Sequence, residues 1–158
     1  MAATRVYRTP VQPDWIDYNG HLRDAYYVLV LSLATDALMD RIGLDAAYRE
    51  RTGCTLYSLE MHLHWLAEIK GSDTIEVDAH LLDADRKRLL VGFDVRVAGR
   101  EGSAATGEFV FLHFRQGASP GSAPFPPEVE AAIASLRPAP GAPPWAGPGS
   151  RALALAKR

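Results

Sequence analysis

The sequence predicts an α+β domain in which an antiparallel β-sheet wraps around one long central helix. Three observations point there. The run from Leu22 to Ile42 has helical apolar spacing yet is apolar on nearly every face. Several later stretches alternate apolar and polar residues with the period of a strand. Short polar connections join those stretches, as in an antiparallel meander.

Arg5 to Val11 mixes β-branched, aromatic and basic residues, and reads as a short strand that Pro10 and Pro13 place at an edge. In the helical run, Leu22, Tyr26, Leu29, Val30, Leu33, Ala37, Leu38 and Ile42 keep one face, while Val28, Leu31 and Met39 make other faces apolar too. Such a helix is expected to be surrounded. Gly43 is its stop, and Asp45 to Arg51 a short amphipathic turn of helix. Strands are expected around Tyr57–Trp65, Ile75–Leu82 and Leu89–Val97. A last one, Gly107 to Phe114, is apolar on both parities and so suits a central strand buried on both faces. Pro126 to Leu136 is a short helix with proline and acids in its first turn. The domain therefore spans residues 1–137, and residues 138–158 are a Pro/Gly/Ala-rich tail. One sheet around one helix leaves an edge and an apolar flank open, so a homodimer or tetramer is expected.

Composition removes several function classes. Net charge is −2, so no global field favours nucleic acid or an anionic membrane. Cys54 is the single cysteine, which excludes an intramolecular disulfide and fits a reducing cytoplasm. The N-terminus has no apolar core segment of a signal peptide, and no apolar run is long enough to span a bilayer.

The candidate active site is the stretch from Trp15 to Tyr27, where Asp17, the turn glycine Gly20 and the imidazole of His21 stand at the mouth of the long helix. Free amides and the positive dipole end at a helix N-terminus can hold a developing negative charge. Asn19 has a turn role open to it as well as a polar contact. Glu60, His62 and His64 share a strand face. His-x-His beside a carboxylate has metal-ligand character, but a site needs further convergent ligands that the sequence does not identify, so no metal is expected. Cys54 has no activating neighbours and reads as structural.

Asp17-Tyr18-Asn19-Gly20-His21 followed by Ala25-Tyr26-Tyr27 resembles the D-x-x-G-H-x-N-N-A-x-Y signature of hotdog-fold acyl-CoA thioesterases of the 4-hydroxybenzoyl-CoA thioesterase type. The predicted element order is also the hotdog order, from about Arg5 to Phe114. Beyond the signature, Ala34-Thr35-Asp36-Ala37-Leu38, Ile42-Gly43-Leu44-Asp45 and Tyr57-Ser58-Leu59-Glu60-Met61-His62 are similar to the betainyl-CoA thioesterases of carnitine degradation. The chain departs from the wider pattern where Arg23 and Asp24 replace two asparagines, and where Ala67-Glu68-Ile69 lacks a common proline.

The resemblance implies a single hotdog domain that hydrolyses a small acyl-CoA thioester to free acid and CoA, without a cofactor. Asp17 is then general base or direct nucleophile on the thioester carbonyl. Backbone amides around Gly20 and His21 and just beyond hold the oxyanion, and the His21 side chain orients water or protonates the leaving thiolate. Trp15, Tyr18, Asn19, Tyr57, Glu60, His62 and Trp65 are candidate substrate contacts. For a betainyl group, the aromatic residues and Glu60 suit the trimethylammonium. Arg86, Lys87 and Arg88, with Lys70 and Arg100, lie at predicted hairpin ends and suit CoA phosphates. Two other functions compete. A non-catalytic acyl-CoA-binding hotdog protein would have no need of Asp17. A hotdog enoyl-CoA hydratase resembles D-x-N-P-x-H, whereas here His21 falls four residues after Asp17 and no proline intervenes.

Overall fold

The elements run β1 (Thr4–Pro10), a short 3-10 turn (Pro13–Trp15), α1 (Asp24–Arg41), α2 (Ala46–Thr52), β2 (Cys54–Trp65), β3 (Thr74–Ala84), β4 (Arg88–Val97), β5 (Ala105–Arg115), β6 (Gly121–Ser122) and α3 (Pro127–Ser135). The computed structural model describes residues 4–138, 140–141 and 144–147. Most of the expected tail lies outside them. Every expected strand and helix is present within a few residues; β6 is additional.

The expected meander holds for β3, β4 and β5 only. The sheet order is β1-β3-β4-β5-β2, with β6 beside β5 and all pairs antiparallel. β2 and β3 therefore sit far apart, although an eight-residue connection joins them. Ile69 in that connection is fully buried, and its carbonyl accepts the Leu22 amide at 2.8 Å. This crossing at the start of α1 is what lets the sheet curl around the helix. Alternation marks a strand but does not name its neighbour.

The inner sheet face packs Val77, Phe93, Val95, Phe109 and Phe111 into the core with Val30, Leu31, Ala34 and Leu38 of α1. Gly107 is the point of closest approach: a Cβ there would lie 2.8 Å from Leu31 Cδ1 and 3.1 Å from Phe109 Cε2. β5 is internal, as its apolar character implies, but only one face is fully buried. Val110 and Leu112 on the other face are half-buried. α1 is not enclosed all round either, because Val28 and Leu29 remain 39% exposed. β2 is a twelve-residue edge strand with exposed Tyr57, Leu59, Met61 and Trp65.

α2 is capped by Asp45, whose carboxylate accepts the Tyr48 amide at 2.8 Å. The Tyr48 hydroxyl meets His113 Nε2 at 3.0 Å, and His113 Nδ1 meets the Ala123 carbonyl at 2.9 Å. A carbonyl only accepts, so Nδ1 carries the proton and Nε2 receives the hydroxyl's. Tyr48→Phe strands a buried ring nitrogen and is expected to cost about 1–2 kcal/mol, read as a lower midpoint in urea.

On the outer face, His80 Nε2 meets Asp94 Oδ2 at 2.8 Å and Ser103 donates to Asp94 Oδ1 at 3.0 Å. Burial opposes ionisation of Asp94, but these hydrogen bonds outweigh it and hold its carboxyl below the ordinary value. The Trp145 ring from the tail lies against His80, with ring centres 6.2 Å apart.

Candidate active site

The turn before α1 is a closed hairpin. The Asp17 amide donates to the His21 carbonyl at 2.8 Å, and the Gly20 amide to the Asp17 carbonyl at 3.1 Å. Gly20 has φ +81°, a conformation that a side chain disfavours, so the glycine is required by the turn. The bridge Ile16–Leu22 closes the hairpin, and the bridge His21–Lys70 ties it to the β2–β3 connection.

This turn fixes the Asp17 carboxylate. Its Oδ1 accepts the amides of Asn19 at 2.8 Å and His21 at 3.1 Å. The His21 amide, then that of Asn19, outweighs partial desolvation and holds the carboxyl below its ordinary value of 3.8. Asp17 is thus ionised at neutral pH. Its Oδ2 has no hydrogen-bond partner among the described residues.

Those same bonds remove two expected oxyanion donors. The Gly20 and His21 amides are both committed inside the turn. The open donor lies three residues further on. The N-cap of α1 is Arg23, which supplies no side-chain cap. The Ala25 amide donates to Asp24 Oδ1 and the Tyr26 amide to the Arg23 carbonyl, while the Asp24 amide has no acceptor among the described residues. An uncapped helix start beside a cleft is the arrangement that favours negative charge.

The cleft has a volume of about 660 Å³. The Asp17 turn and the start of α1 supply Asp17, Tyr18, His21, Asp24 and Tyr27; Trp65, Leu66 and Glu68 follow from the end of β2. Trp65 meets the Tyr27 ring edge-on, with centres 6.4 Å apart. His21 Nε2 meets Glu68 Oε2 at 3.0 Å. Burial pushes the Tyr27 hydroxyl up despite a hydrogen bond with the Ile69 backbone, so it stays protonated.

Of the substrate contacts expected from sequence, Tyr18 and Trp65 line this cleft. Trp15 does not: it is buried and stacks on Tyr26, with ring centres 5.7 Å apart. Asn19 serves the turn through its amide. Tyr57, Glu60 and His62 pair in register with Leu112, Val110 and Glu108, on the outer sheet face away from α1. There Tyr57 stacks on Phe114, and His62 Nε2 meets Glu60 Oε1 at 2.8 Å. A bulge between Ser58 and Glu60 shifts the face parity along β2, which alternation alone does not reveal.

The basic turn is also separated from the cleft. Arg86, Lys87 and Arg88 lie at the β3–β4 hairpin, about 35 Å along the sheet from the start of β3. Arg88 pairs with Asp85, whose carboxyl the Lys87 amide and Arg88 hold down to about 2; Lys87 Nζ donates to Ser122 Oγ at 3.1 Å. The lining residues to which sequence reasoning assigned no individual role are Asp24, Tyr27 and Glu68. Asp24 and Tyr27 fall inside the stretch and signature already singled out, whereas Glu68 reaches the site only through the non-local His21–Lys70 pairing.

Residues 11–133 match the sequence pattern of the thioesterase-like superfamily. The chain belongs to this superfamily. It is 48% identical over 130 residues to the betainyl-CoA thioesterase of Pseudomonas aeruginosa PAO1, covering 82% of this chain and 81% of that protein. It is 41% identical over 109 residues to the L-carnitine dehydrogenase/betainyl-CoA thioesterase of Agrobacterium fabrum, covering 69% of this chain and 22% of that longer protein. In structure it is similar to a Pseudomonas putida KT2440 protein, with TM-score 0.81, 39% identity and coverage of 98% and 99% of the two chains. It is also similar to SAV2348 of Staphylococcus aureus, solved in complex with CoA, with TM-score 0.80, 26% identity and coverage of 90% and 92%. The fold is that of a single hotdog thioesterase domain, and the protein is an acyl-CoA thioester hydrolase. No helix among the described residues of this thioesterase is long and apolar enough to cross a membrane.

Proposed function

We propose that the thioesterase hydrolyses betainyl-CoA, with Asp17 as its catalytic carboxylate. The observation that supports the substrate is the charge of the cleft. Asp17, Asp24 and Glu68 line it against the single fixed cation Arg23, beside the rings of Tyr18, Tyr27 and Trp65. CoA is itself polyanionic, so an acidic, aromatic acyl site suits a cationic acyl group.

Asp17 Oδ2 takes a proton from water as the water oxygen bonds to the thioester carbon. The oxyanion gathers beside the Asp24 amide. Collapse breaks the C–S bond, and the thiolate recovers the proton from Asp17. Direct attack by Oδ2 to form an anhydride, which water then opens, uses the same position. His21 is held by Glu68 at the cleft mouth, where it supports rather than performs the proton transfer.

Assembly follows from the edge. β2 presents twelve residues of backbone with no neighbour on one side among the described residues, flanked by exposed Met61 and Trp65. A second copy paired along β2 would cover this strand and the flank of α1 at Val28. Edge-to-edge pairing keeps each sheet face continuous, so Glu60 and His62 stay outside in such a dimer too. A CoA-ester substrate supports a cytoplasmic location.

The test is a panel of CoA esters followed by thiol release. Betainyl-CoA is expected to have the highest kcat/KM against acetyl-, longer aliphatic and 4-hydroxybenzoyl-CoA. A preference for a neutral or aromatic ester would remove the quaternary-ammonium reading.

A further inference from the structure

We infer that Glu68 is the specificity-determining residue that selects a cationic acyl group, with the Trp65 indole supplying the π face beside it. This rests on the reading of the cleft as the acyl site.

A trimethylammonium has no N–H, so it takes neither directed hydrogen bonds nor a bidentate carboxylate. Its recognition requires an anion outside the methyl shell and an aromatic face in contact with the methyls. In a betainyl group the nitrogen is two bonds from the thioester carbon, about 2.5 Å away. The cation site must therefore share one cavity with the reacting carbonyl.

The cleft offers three carboxylates, and two are committed. Asp17 Oδ1 is held by two amides, and its other oxygen faces the reaction. Asp24 accepts the Ala25 amide in the first turn of α1, where the helix dipole already favours it. Glu68 accepts no backbone amide among the described residues. It comes from the β2–β3 connection rather than from the catalytic turn, and among the described residues its carboxylate has one partner, His21 Nε2 at 3.0 Å. That contact orients one oxygen and leaves the other open. Trp65, three residues earlier, is 55% exposed and braced edge-on by buried Tyr27. Glu68 and Trp65 thus supply an anion and a π face from one segment of chain.

The experiment compares betainyl-CoA with 3,3-dimethylbutyryl-CoA, in which carbon replaces the nitrogen and the shape is kept. The readout is the ratio of the two kcat/KM values, which cancels changes in folding or in the chemical step. The wild-type ratio is expected to favour betainyl-CoA. Glu68→Gln is expected to lower the ratio roughly three- to fivefold, more at low salt than at high salt. Glu68→Asp retains the charge and restores most of the ratio. Trp65→Leu lowers it about threefold. An unchanged ratio in Glu68→Gln overturns the assignment while leaving the thioesterase intact, whereas a wild-type preference for the neutral ester removes the substrate reading on which it rests. A wild-type enzyme that hydrolyses neither ester removes the substrate reading itself, before any variant is made.

Discussion

Asp17→Asn is expected to lower kcat/KM for the best acyl-CoA substrate roughly 10²- to 10⁴-fold, the range of a positioned general base or its equivalent. The fold should survive, because Asn keeps the Oδ1 acceptor that binds the Asn19 and His21 amides. Asp17→Ala removes that acceptor as well, so it should lose both activity and turn stability. Circular dichroism and thermal unfolding separate the two variants. Retained hydrolysis in a folded Asp17→Asn protein would end the catalytic role of this carboxylate.

The pH profile is a second readout of the same residue. A carboxyl held below 3.8 is ionised over the whole neutral range. Base or nucleophile, its active form is the anion, so activity is retained as pH falls until it passes through that lowered value. An acid limb assigned to Asp17 at higher pH would contradict the hydrogen bonds that hold it. A single turnover in heavy-oxygen water distinguishes the two mechanisms. Direct attack of water puts solvent oxygen into the product, whereas an anhydride opened at the enzyme carbonyl leaves it in Asp17.

Gly107→Val is expected to destabilise the domain by about 1–3 kcal/mol, the cost of overpacking a filled core. The added Cβ would lie 2.8 Å from Leu31 Cδ1, and Leu31 is fully buried, so the methyl has nowhere to turn. Relief requires Leu31 to repack or α1 to shift away from β5. Because the start of α1 forms one wall of the cleft, kcat/KM should also fall in the folded fraction. Equilibrium urea unfolding gives the first quantity and titration of active sites the second. Wild-type stability in this variant would show that the helix seat is looser than the contacts indicate.

Much of the candidate site was legible because its parts are local in sequence. Asp17, Gly20 and His21 belong to one turn, and the helix that follows is marked by its own apolar spacing. Of the expected donors, only an amide just beyond the turn is left open, because turn amides bond within the turn: those of Gly20 and His21 go to Asp17, and the Asp24 amide has no acceptor among the described residues. The substrate wall was less legible. Glu60 and His62 alternate on a strand as pocket residues could, yet the register with β5 puts them outside. Glu68, in a connecting segment, enters the site because the chain crosses the start of α1.

The sequence by itself determined the element types, the long apolar helix and the Asp17–His21 turn, since each is specified by residues a few positions apart. Only the tertiary structure decided strand neighbours, the outward face of Glu60 and His62, and the union of Glu68 and Trp65 with Asp17. Those relations depend on long-range register and on a crossing between distant strands, and the local periodicity of a strand is the same on either side of that choice.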